Sequence, residues 1–391
     1  PYAATILQTP AAFKPQLPEK VPMKELVLEV IPDLERPELF FYDKGLRCTF
    51  AYQAQKAPLV FLIPGAGGSN KAPRMMTLMK ALHQAGFHVI VLPSPTHPNF
   101  IISASQRHIP GDLTEDAADL YHAMETAWRE VKDEVEVSDF YLAGFSLGGT
   151  ESAFVAKLDE ERKTFNFKKV LMVNPAVSLH SSIGQIEGLL DKVPGGKGQI
   201  IRFFNNTMDK FSRFYQRGQF VAFNDEFLYR VYQERLLTPE EAAGLIGVVY
   251  RLGSANMIFT SDVMTKGGYV VPRNRELSDT DSLTDYFRVS VHLSFFQYID
   301  EYFYPSYQRL HPTVSREQLR ETEGFKSIEG YLKSSGKFGV MTNQNDFILT
   351  PGDLDYLRQL FGDRVKIYPS GGHGGNFEYR DNVAYAVGFF K

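Results

Sequence analysis

The chain has 391 residues, 43% hydrophobic and 23% charged, with a formal net charge of −4. That composition belongs to a globular protein and not to a disordered one, and without a basic block it does not point to nucleic acid. The one cysteine, Cys48, rules out an intrachain disulfide and a thiolate metal site.

Residues 1–22 hold five prolines and no stable periodicity, so they read as an extended arm. The start at Pro1 and the single cysteine lean towards a periplasmic or secreted protein, with a cytoplasmic one as the alternative. Three β-like pieces follow, Leu26–Pro32, Glu38–Asp43 and Leu46–Ala54, the last two joined as a hairpin through the turn at Asp43-Lys44-Gly45. The pattern then changes. "APLVFLIP" (Ala57–Pro64) is a buried strand, Arg74–Gly86 a helix, and Phe87–Pro95 a second buried strand. Leu113–Val131 is a helix with Thr114 and two acids at its start. Asp139–Phe145 is a third buried strand, Gly148–Glu160 a helix, and Phe167–Val177 a fourth strand. Apolar strands alternating with helices predict a parallel sheet covered on both faces.

Residues 178–335 break this rhythm. They are polar-aromatic and helical, with ten Phe or Tyr residues between Phe203 and Tyr232, and a helix starting at Thr238-Pro239. The strand–helix pattern resumes with Lys337–Asp346, a helix over Pro351–Gly362, the strand Arg364–Ser370 and a last helix over Tyr379–Phe390. The predicted organisation is an arm (1–22), a core (23–178 and 336–391) and a mainly helical, aromatic-rich cap (179–335). No run of 18 apolar residues occurs, so no transmembrane helix is expected.

"GFSLGG" lies where the third buried strand turns into a helix. A sharp strand-to-helix turn pushes the Ser146 hydroxyl out at the carboxyl edge of the sheet, and Gly144 and Gly148 remove side chains that would clash there. The Leu147 amide then stands at a helix N-terminus, able to meet developing negative charge. "LIPGAGGSN" after the first buried strand supplies a second donor, Ala66, with Gly65 and Gly67 shaping the loop. It fits neither GxxxxGK[ST] nor GxGxxG, which argues against a nucleotide. Asp346 ends a late strand in "NQND", while Asp353 is more readily explained as a helix-start acid. His373 sits between two Gly-Gly pairs in "GGHGG", where no amphipathic face accounts for it. His97, after the second buried strand, is read as a pocket-rim residue. His83, His88 and His122 fall in helix or strand patterns and read as packing or surface residues. Neither HExxH nor a zinc spacing occurs, so no metal and no cofactor is expected.

These motifs resemble those of the α/β-hydrolases: the nucleophile turn "GFSLG", and serine, acid and histidine in that chain order. The resemblance covers about residues 45–178 and 336–391. It departs from the family's common His-Gly oxyanion motif, since Pro64 precedes Gly65. It implies an α/β-hydrolase fold with a mostly parallel sheet, helices on both faces and a helical cap. The triad would be Ser146, His373 and Asp346, with an oxyanion hole of Leu147 and Ala66. The expected reaction is hydrolysis of a carboxylic ester of a hydrophobic acyl group through an acyl-enzyme. Acyl transfer, thioester or amide cleavage by the same residues, or a non-catalytic binding protein, are the alternatives. The expected partner is a small ester or lipid-like molecule, with at most transient membrane contact.

Overall fold

The structure, a computed structural model, describes residues 1–218 and 225–391. Eight strands form one sheet: β1 Met23–Leu28, β2 Leu46–Ala51, β3 Ala57–Ile63, β4 His88–Val91, β5 Val137–Phe145, β6 Val170–Val173, β7 Phe338–Asn343 and β8 Val365–Tyr368. Their order is β1-β2-β4-β3-β5-β6-β7-β8. β1 and β2 pair antiparallel, as do β2 and β4, and every later pairing is parallel. This is an α/β-hydrolase fold, a mainly parallel sheet between two layers of helices with a large helical insertion.

Side-chain alternation along the strands builds both faces of the sheet. Leu59, Phe61 and Ile63 of β3 enter one apolar core, while Val60 and Leu62 enter the other. Val170 and Met172 of β6 follow the first set, Leu171 and Val173 the second. The Leu113–Val131 and Leu147–Arg162 helices cover the first face; Pro73–Gln84 and Arg380–Phe390 cover the second. Full burial of both faces explains why these strands are short continuous apolar runs.

The hairpin read from the sequence is placed differently. Glu38–Phe40 is a 3₁₀ turn, and the partner of β2 is β1, with Leu28 opposite Leu46. Pro37 at the turn's N-cap and the small turn that follows break the extended run. The Leu113–Val131 helix is capped by Asp112, whose Oδ1 accepts from the Thr114 and Glu115 amides, and not by Thr114.

Between β6 and β7 the chain runs through helices including Leu179–Gly188, Ile200–Gly218, Asp225–Gln233, Pro239–Thr265 and Thr284–His292. Both ends of this excursion leave the core at one point. Ser178 and Gly324 form an antiparallel bridge, Leu179 N–H donates to Glu323 O at 2.9 Å, and Phe325 N–H donates to Val177 O at 2.9 Å. Residues after Gly324 return to the sheet core through Phe325, Ile328 and Leu332. The Pro239–Thr265 helix opens on a capping box of Thr238 and Glu241. It is long and apolar enough to cross a membrane by length and composition, unlike anything expected from the sequence, because its few polar residues are spread among apolar ones. Two-thirds of that apolar stretch is buried inside the protein, as in the central helix of a cap.

The aromatic run from Phe203 to Tyr232 falls partly outside the described residues. Phe203, Phe211 and Phe227 pack among the cap helices with Leu245 and Val248, while Tyr229 and Tyr232 are exposed. The first six-residue helix, Tyr2–Leu7, lies against the cap through Ile6.

Candidate active site

β3, β5, β6, β7 and β8 end together at the carboxyl edge of the parallel sheet, where crossover connections leave a crevice. Ser146 follows β5 directly, with φ 55° and ψ −123°. Serine holds this left-handed backbone because its neighbours leave no room for another path. A Cβ at Gly144 would stand 2.0 Å from Gly148 O, and one at Gly148 would stand 2.3 Å from Pro64 O. The strand and the helix therefore approach to backbone contact, and Ser146 takes the turn between them. Ser146 is only 8% exposed.

The loop after β8 brings His373 over it. His373 Nε2 lies 2.8 Å from Ser146 Oγ, and Nδ1 lies 3.0 Å from each Asp346 oxygen. With the proton on Nδ1, the ring donates to Asp346 and leaves Nε2 to accept from the serine. Asp346, just past β7, is 5% exposed and also accepts from Asn174 Nδ2 at 2.8 Å and from Ile348 N–H at 3.2 Å. Asp353 instead accepts from the Thr350 amide at the start of its own helix. The histidine loop is fixed from several sides. Asn343 Nδ2 donates to Gly372 O, Gly372 N–H to Asn345 Oδ1, and His373 N–H to Thr5 Oγ1 at 2.9 Å. Phe145 and Phe347 rings flank the imidazole at 5.2 and 5.8 Å.

Ala66 lines each of three cavities around this point, and Leu147 lines the one beneath the cap. Among the described residues neither amide has an acceptor. Gly65 approaches Ser146 so closely that a Cβ on it would lie 3.1 Å from the serine Cβ. Gly67 donates its amide to Thr96 Oγ1 at 2.8 Å, which pins the loop. His97 is placed otherwise than the sequence reading had it. Its Nδ1 accepts from the Asn99 amide as the cap of the Pro98–Ser103 helix, and it lines none of these cavities. Thr96 lines the cavity in its stead. His83 and His88 make backbone contacts, and His122 packs against Val30 O.

The cavity under the cap has a volume of about 140 Å³ and runs from Ser146 between Leu179, Ile183, Ile186, Ile299 and Phe303. Its far wall carries Asp116 and Glu323, both nearly buried, with burial pushing each carboxyl well above its ordinary range. Behind Asp116 stands Glu151, fully buried, with both carboxyl oxygens lacking a partner and its own pKa raised by burial. At the cap seam Asp112, Glu115 and His311 bring three potential ligand atoms within 4.8 Å of one another. Asp112 is already engaged as a helix cap, and Glu115 pairs with Arg107 at 2.6 Å.

Four residues at the site were not singled out from the sequence: Asn174, Thr5, Arg74 and Tyr250. Asn174 had the best available signal, a polar residue immediately after a buried strand, at the same sheet edge as Ser146 and Asp346.

No protein-family model matches the chain, and no curated protein matches it in sequence. Similar solved structures include the thioesterase domain from the curacin biosynthetic pathway, at 13% identity and a TM-score of 0.41, over 94% of this chain and 99% of that one. The hyperthermophilic esterase from the archaeon Pyrobaculum calidifontis matches at 15% identity and 0.42, over 96% and 82%. DcsB, solved in complex with its substrate analogue, matches at 14% identity and 0.44, over 94% and 97%.

Proposed function

We propose that the protein is a serine-dependent hydrolase of carboxylic esters with a hydrophobic acyl group. The observation that carries this reading is the chain of contacts from Ser146 Oγ through His373 to Asp346, at 2.8 and 3.0 Å. In this reading Ser146 attacks the acyl carbonyl while His373 Nε2 takes its proton. Asp346 holds the ring in the needed tautomer and balances the imidazolium charge without taking the proton. Asn174 fixes the carboxylate in turn. The Leu147 and Ala66 amides, which have no acceptor among the described residues, are the donors for the tetrahedral oxyanion. His373 then protonates the leaving alcohol, and a water that it activates frees the acid from Ser146.

The substrate class rests on the cavity under the cap, whose walls near Ser146 are aliphatic and aromatic. Such walls suit an acyl chain better than a peptide or a sugar. A fluorophosphonate probe tests the reading. Wild type should label at one site, and Ser146→Ala should lose both the label and ester turnover, the latter by roughly 10⁴-fold or more. Equal labelling of the variant would sink it.

A further inference from the structure

Two cavities share Ala66, Thr96 and Tyr250 beside the candidate nucleophile; Ser146 lines the first and His373 the second. The one beneath the cap is the apolar one described above. The second, of about 450 Å³, sets His373, Thr5, Gln8, Tyr250 and Arg74 among apolar residues such as Leu245 and Ile246. His373 borders only this second cavity, so the group that receives its proton leaves on this side.

Arg74 is the second residue of the Pro73–Gln84 helix, directly after the loop that carries Ala66. Its guanidinium carbon lies 5.0 Å from the centroid of the Phe145 ring, and that ring flanks His373. Its Nε is buried without a hydrogen-bond partner. Among the described residues no carboxylate forms an ion pair with it. The acid with the most influence on it, Glu378, is already engaged by Thr77 and Lys14. Arg74 also lines the narrow cleft that holds Gly65, Ala66, Ser146 and Tyr250. Burial lowers its pKa from the usual arginine value, as expected for a cation removed from water without an anion beside it. The Tyr250 phenol, from the cap, shares this cleft; burial pushes it up to about 12, against the pull of Arg74 and Ser146.

A guanidinium partly withdrawn from water, with its Nε buried and unpartnered, gains from a ligand that supplies the missing charge. The Phe145 ring lies against the guanidinium, whose planar hydrogen-bonding edge suits a carboxylate or phosphate.

We propose that Arg74, with Tyr250, binds an anionic group on the leaving-alcohol side of the substrate, so that the preferred esters join a hydrophobic acyl group to an alcohol bearing a carboxylate or phosphate. This rests on the esterase reading above. The Ser146 oxygen forms a bond to the acyl carbon, the bond from that carbon to the alcohol oxygen breaks, and His373 returns the proton to that oxygen. The anion on the alcohol is chemically unchanged and leaves with it.

The test is calorimetric binding to the full-length Ser146→Ala protein, which needs no turnover. The ligands are 4-(hexanoyloxy)benzoate, 4-(hexanoyloxy)phenyl phosphate and the neutral 4-(hexanoyloxy)benzamide. At least one anionic ester should bind about tenfold to hundredfold more tightly than the benzamide, the range for charge-assisted hydrogen bonds. Which anion is preferred identifies it as carboxylate or phosphate. Adding Arg74→Met should bring that ratio to about one, and Arg74→Lys should restore part of it. Equal affinities in the Arg74-containing protein, or a preference that survives Arg74→Met, would overturn the proposal. Loss of the covalent reading would show separately, as unlabelled Ser146 with the binding ratio intact.

Discussion

A serine at φ 55° and two glycines whose Cβ atoms would enter neighbouring backbone mark where this chain accepts local strain. Another local cost lies five residues further along the same helix. Glu151 is wholly buried with both oxygens unpartnered, and burial pushes its carboxyl well above the ordinary range. A carboxyl raised in the folded state binds more protons there than in the unfolded chain. Stability therefore falls as pH rises from the unfolded value towards the folded one. Glu151→Gln should remove this penalty. We expect the variant to match wild type in urea unfolding below about pH 4 and to gain roughly 1–3 kcal/mol near pH 8. A gain independent of pH would refute the assignment. Ser146, Asp346 and His373 were legible because each stands in a turn just beyond an apolar strand, with glycine or polar neighbours and no packing role. Asn174 was half-legible by the same reasoning. Arg74 and Tyr250 were not, because an arginine at a helix start and a tyrosine in a helix each have ordinary reasons to be there.

At the scale of elements, the segment read as an extended arm is partly a helix. Tyr2–Leu7 has no side-chain cap and no buried residue, too short and too weakly patterned to announce itself. Tertiary contacts hold it. Tyr2 meets the Phe347 ring, Ile6 enters the cap's apolar clusters, and Thr5 accepts from the His373 amide. Carbonyls of Pro1 and Ala4 lie so close to Gly372 and Gly375 that a Cβ on either glycine would come within 2.3 and 2.1 Å. The doubled glycines around His373 thus make room for this helix. Thr5→Val should lose about 1 kcal/mol of orientation at His373, seen as a roughly threefold to tenfold slower labelling of Ser146 by a fluorophosphonate. Labelling at the wild-type rate would mean that Thr5 does not position the histidine. The sheet strands were legible as elements for the opposite reason. Burial on both faces leaves a continuous apolar signature that needs no partner to be recognised.

Across the whole molecule, cap and core share an apolar seam, where Leu39, Phe40 and Ile101 cluster with Ile258, Tyr298 and Phe303. The cap also has an apolar cluster of its own and a buried ion pair, Arg251 with Glu187. Glu187 also accepts from the Phe295 amide, so one carboxylate ties three cap segments together. Removing one partner of a buried pair costs about 3–5 kcal/mol. Glu187→Ala should therefore speed amide hydrogen exchange in the Pro239–Thr265 helix while leaving the central strands at their wild-type protection. Faster exchange in cap and sheet alike would argue for a single cooperative unit. The cap's internal arrangement was the least legible part of the chain. Its helices have aromatic residues on several sides, and the sequence does not say which meet one another and which meet the sheet domain. Of the cavity walls, Ile183, Ile186, Ile299 and Phe303 come from stretches that gave no such sign.

The antiparallel bridge between Ser178 and Gly324 gives this excursion a closed neck. A loop whose ends already touch can lengthen, shorten or be exchanged at small entropic cost, because closure depends only weakly on length. Asp346 and His373 both lie downstream of the neck, and β7 takes its register from β6 and β8 from β7. A change of length within residues 179–323 should therefore leave the pairing of β6, β7 and β8 unchanged, while the His373 loop, tied through Thr5 to a helix that packs on the cap, would lose part of its support.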